Sequence, residues 1–354
     1  MSSSRARLTI STVVSSEFLV IAAMNARVGK CQLTIYIVTM CALSKSKPTI
    51  AMLGYGSQGR ALALNLKDSG YEVIVGLPSG SATREIAASD GMMNLQTTDE
   101  AAAGAEVICF AVPDHRHAAV WRDQVGPSAK SGSALWFLHG LSVHFEQVLP
   151  PDDVDVFMIA PHAPGLAVRE QYLGDRSLSA FVAVHQDVSG RAMKQAQRLA
   201  EGIGISPTRL VKTTFEHEAV GDLFGEQAVL CGGMSALITA GFETLVARGL
   251  APENAYLEVA YQLDLIISLV KRYGIEGMLR RISVAARLGA VQAGPKLIDA
   301  RVRETMQRIL QRIDSGEFAR ELQDLDNAAL ADLDKSLGRL SNDELERAAR
   351  KFRS

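Results

Sequence analysis

Cysteine is scarce in this chain: four in 354 residues. Cys31, Cys41, Cys109 and Cys231 show no paired spacing, which excludes a disulfide framework or a cysteine zinc site and fits a reducing compartment. Net charge is almost absent, at −2, so neither nucleic acid nor an anionic membrane is an expected partner. No apolar run approaches the ~20 residues of a membrane span. Tryptophan is limited to Trp121 and Trp136, which read as packing residues. What remains is 47% hydrophobic and 21% charged residues, the ordinary composition of a globular protein with a large core, in a length that suits roughly two domains.

The chain divides by pattern. Residues 1–47 are Ser-rich with a short apolar run, Phe18–Met24. Arg5 and Arg7 stand apart from that run, unlike a signal peptide. This stretch reads as a poorly ordered extension or a start placed too early, with Met24 or Met40 as alternatives and organelle targeting as a further one; the expected location is cytoplasmic. Over 48–212, apolar strands ("TIAML", "YEVIVGL", "AEVICFAVP", "GSALWFLHG", "DVDVFMIAP", "SAFVAVHQD") alternate with helical stretches, predicting an open, mostly parallel α/β sheet. From 213 to 327 the pattern is helical, with helices expected at Glu216–Met234, Ser235–Arg248, Pro252–Tyr273, Met278–Leu288 and Arg301–Ser315, and residues 328–354 read as a charged tail. "LDLIISLV" has no polar face, so this half is expected to bury itself against its own domain and a second subunit.

Gly54, Gly56 and Gly59 spell G-x-G-x-x-G between the first strand and the first helix. The first glycine permits the turn, the second lets backbone approach a pyrophosphate, and the third lets helix and strand pack closely. The loop Gly54-Tyr55-Gly56-Ser57-Gln58-Gly59 is therefore the candidate dinucleotide site. At the end of the second strand stands Gly76-Leu77-Pro78 with no acid to hold a ribose 2′-hydroxyl. Ser81 and Thr83, with Arg84 assisting, suit a 2′-phosphate, which favours NADPH, with NADH as the alternative.

The stretch "DLFGEQAVLCGG" at 222–233 places Asp222 and Glu226 one helical turn apart, on one face, with Glu218 a further turn back. A second helical segment carries Glu258 and Gln262 at the same spacing. Oxygen donors without Cys or His suit a hard cation, Mg²⁺ above all. An acidic ladder is more often a solvated face; the apolar neighbours Leu223, Phe224, Ala228, Val229 and Leu230 argue here for a buried, metal-filled site.

Those stretches, together with "HG-(x)3-HF", "VAVHQD-SG", "TTF-(x)6-DLFGEQAVLCGG", "AGFETLV" and "ILQRIDSGEFARE", resemble the ketol-acid reductoisomerase family in its short form, over residues 48–325. The resemblance implies a Rossmann-like N-terminal domain and an all-helical, knotted C-terminal domain built by two subunits together. It implies NADPH, two Mg²⁺, and an alkyl shift in a 2-hydroxy-2-alkyl-3-oxo acid followed by reduction to a 2,3-dihydroxy acid, in branched-chain amino-acid synthesis. By motif, Asp222 matches the carboxylate bridging both metals and Glu226 a ligand of the first. Glu258 matches a ligand of the second, reached from the partner subunit. His139 matches the active-site histidine and Ser283 the serine that contacts the substrate carboxylate.

The chain also departs from the family. His162 replaces the lysine of "APKGPG". Gln262, whose amide oxygen can still touch a cation, replaces a glutamate. "RISVAARLGA" at 281–290 has lost a tyrosine and two acids and gained Arg287, and Pro78 replaces the phosphate-binding arginine. Reduction needs less than the alkyl shift, so one alternative is a paralogue that only reduces a 2-oxo acid or an imine. Another is a non-catalytic dinucleotide-binding protein. His144 and His185 read as structural, while His115 and His117 either border the nicotinamide pocket or lie on a surface loop.

Overall fold

The structure, a computed structural model, describes residues 11–15, 18–27, 30–36, 47–174, 176–339 and 341–353. Much of the leading extension, Met40 included, lies outside the described residues. Within it, β1 (Ser11–Ser15), β2 (Phe18–Arg27) and β3 (Lys30–Tyr36) form an antiparallel meander. The unit from Pro48 onward is separate from it.

That second unit begins with eight strands: β4 (Ile50–Leu53), β5 (Val73–Gly76), β6 (Leu95–Gln96), β7 (Val107–Phe110), β8 (Ala134–Phe137), β9 (Asp155–Pro161), β10 (Ala180–Gln186) and β11 (Leu210–Lys212). They form one sheet in the order β11-β10-β9-β8-β7-β4-β5-β6. Every neighbouring pair is parallel except β9 with β10. The central strands are short and wholly apolar because helices cover both faces. Alternation along β4 divides the core. Ile50 and Met52 join Leu62 and Leu66 of the helix Ser57–Asp68 on one face; Ala51 and Leu53 join Ala101 and Ala102 of the helix Thr98–Gly104 on the other. The strand order turns back beside β4, with β5 and β6 on one side and β7 on the other. At such a switch point the loops leaving β4 and β7 open a crevice for ligands.

The remainder is helical, so the architecture is a Rossmann-like α/β sheet followed by a helical half. The single helix expected over 216–234 is instead an α-helix, Phe215–Gly225, a π-helical turn, Glu226–Leu230, and a second helix, Gly232–Ala247. The next expected helix divides in the same way, into Pro252–Tyr256, a π turn at Leu257–Tyr261, and Leu263–Leu279 with a kink where Gly274 takes φ 72°. Met278–Leu288 is not one helix, because Ser283 caps a new one, Val284–Leu297, its Oγ accepting from Ala286 N (3.1 Å). Residues beyond 327 form two further helices, Asn327–Ser336 and Asp343–Arg350.

Two features of the apolar surface are not evident from the sequence. The helical stretch Phe215–Ala247 is long and apolar enough, by length and composition, to cross a membrane. The acids at its start hide this in the sequence. The apolar helices are also not buried within the chain: Leu237, Leu265, Val291 and Leu297 are each about 60% exposed.

Candidate active site

The glycine loop lies at the switch point. Gly54 has φ 100°, and a Cβ there would press on the Ala111 carbonyl at the end of β7. A Cβ on Gly59 would meet the Gly54 carbonyl. Gly56 is the N-cap of the helix Ser57–Asp68 and offers no side chain to its free N–H groups, which leaves them for an anion. Tyr55 turns its side chain inward from the loop. Its side chain is buried and its hydroxyl donates to Asp90 Oδ2 (3.0 Å), which Arg60 also holds through two nitrogens. Burial, then Asp90, pushes that hydroxyl's pKa up, so Tyr55 is a strut under the loop. Gln58 Nε2 donates to the Ala163 carbonyl (2.7 Å), and a side chain at Gly165 would overlap the Ser57 carbonyl. The segment Pro161–Gly165, which carries His162, therefore packs against the start of this helix.

At the end of β5, Pro78, Ser79 and Gly80 are exposed and Ser81 Oγ accepts from Thr83 N (3.3 Å). Arg84 is not free to assist a phosphate: its guanidinium donates to the carbonyls of Leu77 (2.8 Å), Gln96 (3.1 Å) and Leu95 (3.1 Å). The C-terminal ends of β5 and β6 present these carbonyls together, that of Gln96 also accepting from Leu77 N (3.0 Å), and a guanidinium reaches several at once.

β8 delivers the second element. His139 and Gly140 follow it after Leu138, and the acidic helix Phe215–Gly225 crosses against them. The approach requires glycine, because a Cβ at 140 would meet the Phe215 carbonyl and Glu218 Oε2. Glu218 is 4% exposed. Its Oε2 accepts from Gly140 N (2.6 Å) and from His139 Nδ1 (2.9 Å), and Asp222 Oδ2 is 3.7 Å from the same nitrogen. Among the described residues, His139, Glu218 and Asp222 form a group whose ligand atoms lie within 4.8 Å of one another.

Charge explains the titration. Burial disfavours the His139 cation, but the hydrogen bond and charge of Glu218, aided by Asp114 and Asp222, prevail and push its pKa up to about 9. Partial burial, then Glu218 and Asp114, raises Asp222 against the pull of His139 and His162. Glu226 rises through burial and the nearby Asp222 charge. Carboxylates outnumber cations here, and such an oxygen donor set fits a hard divalent ion. The burial differs from the sequence expectation: Glu218 is buried, while Asp222 and Glu226 stay open to solvent, as do Val229 and Leu230.

Of the other expected site residues, His162 is near enough for its charge to act on Asp222, while Glu258, Gln262 and Ser283 are not part of the His139–Glu218–Asp222 group among the described residues. Glu258 and Gln262 are exposed on the second π-turn helix, with Gln262 Nε2 3.5 Å from Glu258 Oε2. Ser283 is exposed at its helix cap. His162 is exposed with its ring edge-on to Phe181 (4.3 Å). His117 is buried rather than on a surface loop: Nε2 donates to the Val112 carbonyl (2.9 Å), Nδ1 lies 2.8 Å from Ser142 Oγ, and burial lowers its pKa. His144 packs edge-on to Phe145, and His185 edge-on to Phe215. Trp136 is fully buried. Spacing put Glu218 on the acidic ladder without showing that it turns inward; the available signal was the "HG" turn, whose glycine marks where a helix must come close.

Fold and site define a two-domain protein of the nicotinamide-dinucleotide class, an α/β sheet with a glycine loop joined to an acid-bearing helical half. The NADPH-binding domain model of acetohydroxy acid isomeroreductase matches residues 44–208, and the ketol-acid reductoisomerase C-terminal domain model matches 215–354. The chain belongs to the ketol-acid reductoisomerase family. It is 44% identical over 305 residues to the NADP(+) ketol-acid reductoisomerase of Pyrobaculum aerophilum, covering 86% of this chain and 93% of that one. It is 47% identical over 273 residues to that of Petrotoga mobilis, covering 77% and 82%. The solved structure of an NADH-preferring ketol-acid reductoisomerase from an uncultured archean superposes with a TM-score of 0.81 at 37% identity, covering 86% of this chain and 93% of that one.

Proposed function

We propose that the protein is a magnesium-dependent, NADPH-using ketol-acid reductoisomerase of branched-chain amino-acid synthesis. It rearranges a 2-hydroxy-2-alkyl-3-oxo acid and reduces the product to a 2,3-dihydroxy acid. The carrying observation is the His139–Glu218–Asp222 group at the C-terminal end of β8, on the same edge of the parallel sheet as the dinucleotide loop after β4. In this reading Asp222 and Glu226 hold magnesium, joined by Glu258 and the amide oxygen of Gln262 from a partner subunit. Bound magnesium supplies Lewis acidity toward the substrate carbonyl. His139, kept protonated by Glu218, holds a proton at the ring nitrogen directed away from Glu218, ready for substrate oxygen. Ser283 binds the substrate carboxylate, and His162 offers a titratable group in place of a fixed cation.

Gly54, Gly56, Ser57, Gln58 and Gly59 bind the pyrophosphate, with Tyr55 supporting them, while Ser81 and Thr83 receive the adenosine 2′-phosphate. With Arg84 engaged elsewhere and proline at 78, that phosphate meets hydroxyls and no free guanidinium. Pro78→Arg is therefore expected to tighten NADPH about tenfold over NADH, the scale of one added charge-assisted contact. Nucleotide titration by fluorescence measures it directly.

The exposed apolar faces of Leu263–Leu279 and Val284–Leu297 support a homodimer, in which the two helical halves form the knotted domain. The domains then run 48–212 and 213–327, and the scattered cysteines support a cytoplasmic setting. A second reading rests on Gln262, which brings no charge to the second metal position: a reductase that has lost the alkyl shift. NADPH oxidation with Mg²⁺ separates the two. Turnover of 2-acetolactate and of 3-hydroxy-3-methyl-2-oxobutanoate is the expected result. Turnover of the second alone establishes the reductase, and turnover of neither overturns both.

A further inference from the structure

The helix Asp343–Arg350 and the residues after it are not a loose tail. Asn342 caps the helix, its Oδ1 accepting from Glu344 N (2.9 Å) and Leu345 N (3.2 Å), and its Nδ2 donates to Glu243 Oε1 (3.1 Å) on Gly232–Ala247. Leu345 is buried with Phe242 and Ala255, and Tyr256 and Val259 pack against the same cluster. Lys351 pairs with Glu253. Phe352 stacks on Tyr256 (centroids 5.7 Å, interplanar angle 21°) and lies 5.8 Å from Tyr261. Tyr256 directly precedes the π turn Leu257–Tyr261, and Tyr261 ends it. One ring thus touches both ends of the turn that carries Glu258.

A π turn is held less firmly than an α turn, since its i→i+5 geometry is rare and occurs in single pieces. The direction of a side chain projecting from it depends on whatever fixes its two ends. Phe352 fixes both. Gln262, the next residue, shares that constraint through its contact with Glu258.

We propose that Phe352, carried by the C-terminal helix, is a positioning residue that aims Glu258 for metal binding. The inference rests on the reading above that Glu258 ligates magnesium. The test uses the full-length protein and follows thermal unfolding against Mg²⁺ concentration for the wild type, Phe352→Ala and Phe352→Tyr. Wild type is expected to gain Tm with Mg²⁺. Phe352→Ala is expected to require roughly tenfold more Mg²⁺ for half of that gain, the scale of losing a support behind a metal ligand, and Phe352→Tyr to restore the wild-type midpoint. A purely structural role would lower Tm equally at every Mg²⁺ concentration. An unchanged Mg²⁺ midpoint in Phe352→Ala overturns the inference and leaves the proposed function intact. No Mg²⁺ response in the wild type removes the metal reading and the inference with it. Should Phe352→Ala fail to fold, Phe352→Leu keeps apolar volume without a ring and is titrated with the same expectations.

Discussion

Asp222→Asn is expected to lower kcat by about 10³-fold or more, the equivalent of several kcal/mol of lost Lewis-acid stabilisation. The substitution keeps shape and removes one negative charge from the end of the His139–Glu218 pair. Its effect on stability has the opposite sign. Asp222 has a raised pKa, so its charged form is disfavoured in the fold at all pH values above the ordinary aspartate range. Asparagine relieves that, and the metal-free variant should melt slightly above the metal-free wild type at pH 8. Steady-state kinetics and paired thermal melts without Mg²⁺ check both parts. A variant that loses activity and melts lower would mean that the carboxylate braces the fold, contrary to the electrostatics described.

Glu218→Gln should be nearly as damaging, through a different route. Glutamine can still accept from Gly140 N, but it leaves partly buried His139 without its counter-charge, and burial then pulls the imidazolium pKa down. We expect a 10²- to 10³-fold loss in kcat, the usual scale for disabling a positioned acid–base group. Stability gives a second readout in metal-free protein. The His139 pKa is raised from 6.5 to about 9, so its contribution is fully present below pH 6.5 and is lost as pH rises through about 9. The Tm deficit of the variant should therefore be largest near pH 6 and shrink toward pH 10, with a difference on the order of 2 kcal/mol. A deficit independent of pH would place the ion pair elsewhere.

Much of the sheet was legible because its strands are apolar runs bounded by turn residues, and buried parallel strands have no other pattern. The glycine loop was legible for a similar reason: each glycine answers a specific steric demand, and those at 54 and 59 face carbonyls in the fold. The acidic ladder was only half legible. Spacing puts Glu218, Asp222 and Glu226 on one face but cannot say which of them turns inward. Gly140, 78 residues away in sequence, decides that by admitting the helix at Glu218 alone. Arg84 misled for a related reason: composition offers a cation near a phosphate position, while the carbonyls that capture it belong to strand ends not yet placed. The exposed apolar helices were expected to be covered, and one chain by itself does not cover them.

The two π turns of the helical half have an evolutionary meaning. A π turn is an α-helix with one residue too many, and each of these turns contains an acid of the proposed metal set, Glu226 in one and Glu258 in the other. Deleting one residue within either turn would let the helix close into regular α geometry while its flanks kept their places. The fold would survive such a deletion, and the acid would turn away from its present direction. Loss of the chemistry is thus a single in-frame codon away, without loss of the scaffold. Descendants of this chain that keep the architecture and bind nucleotide alone are reachable in one step.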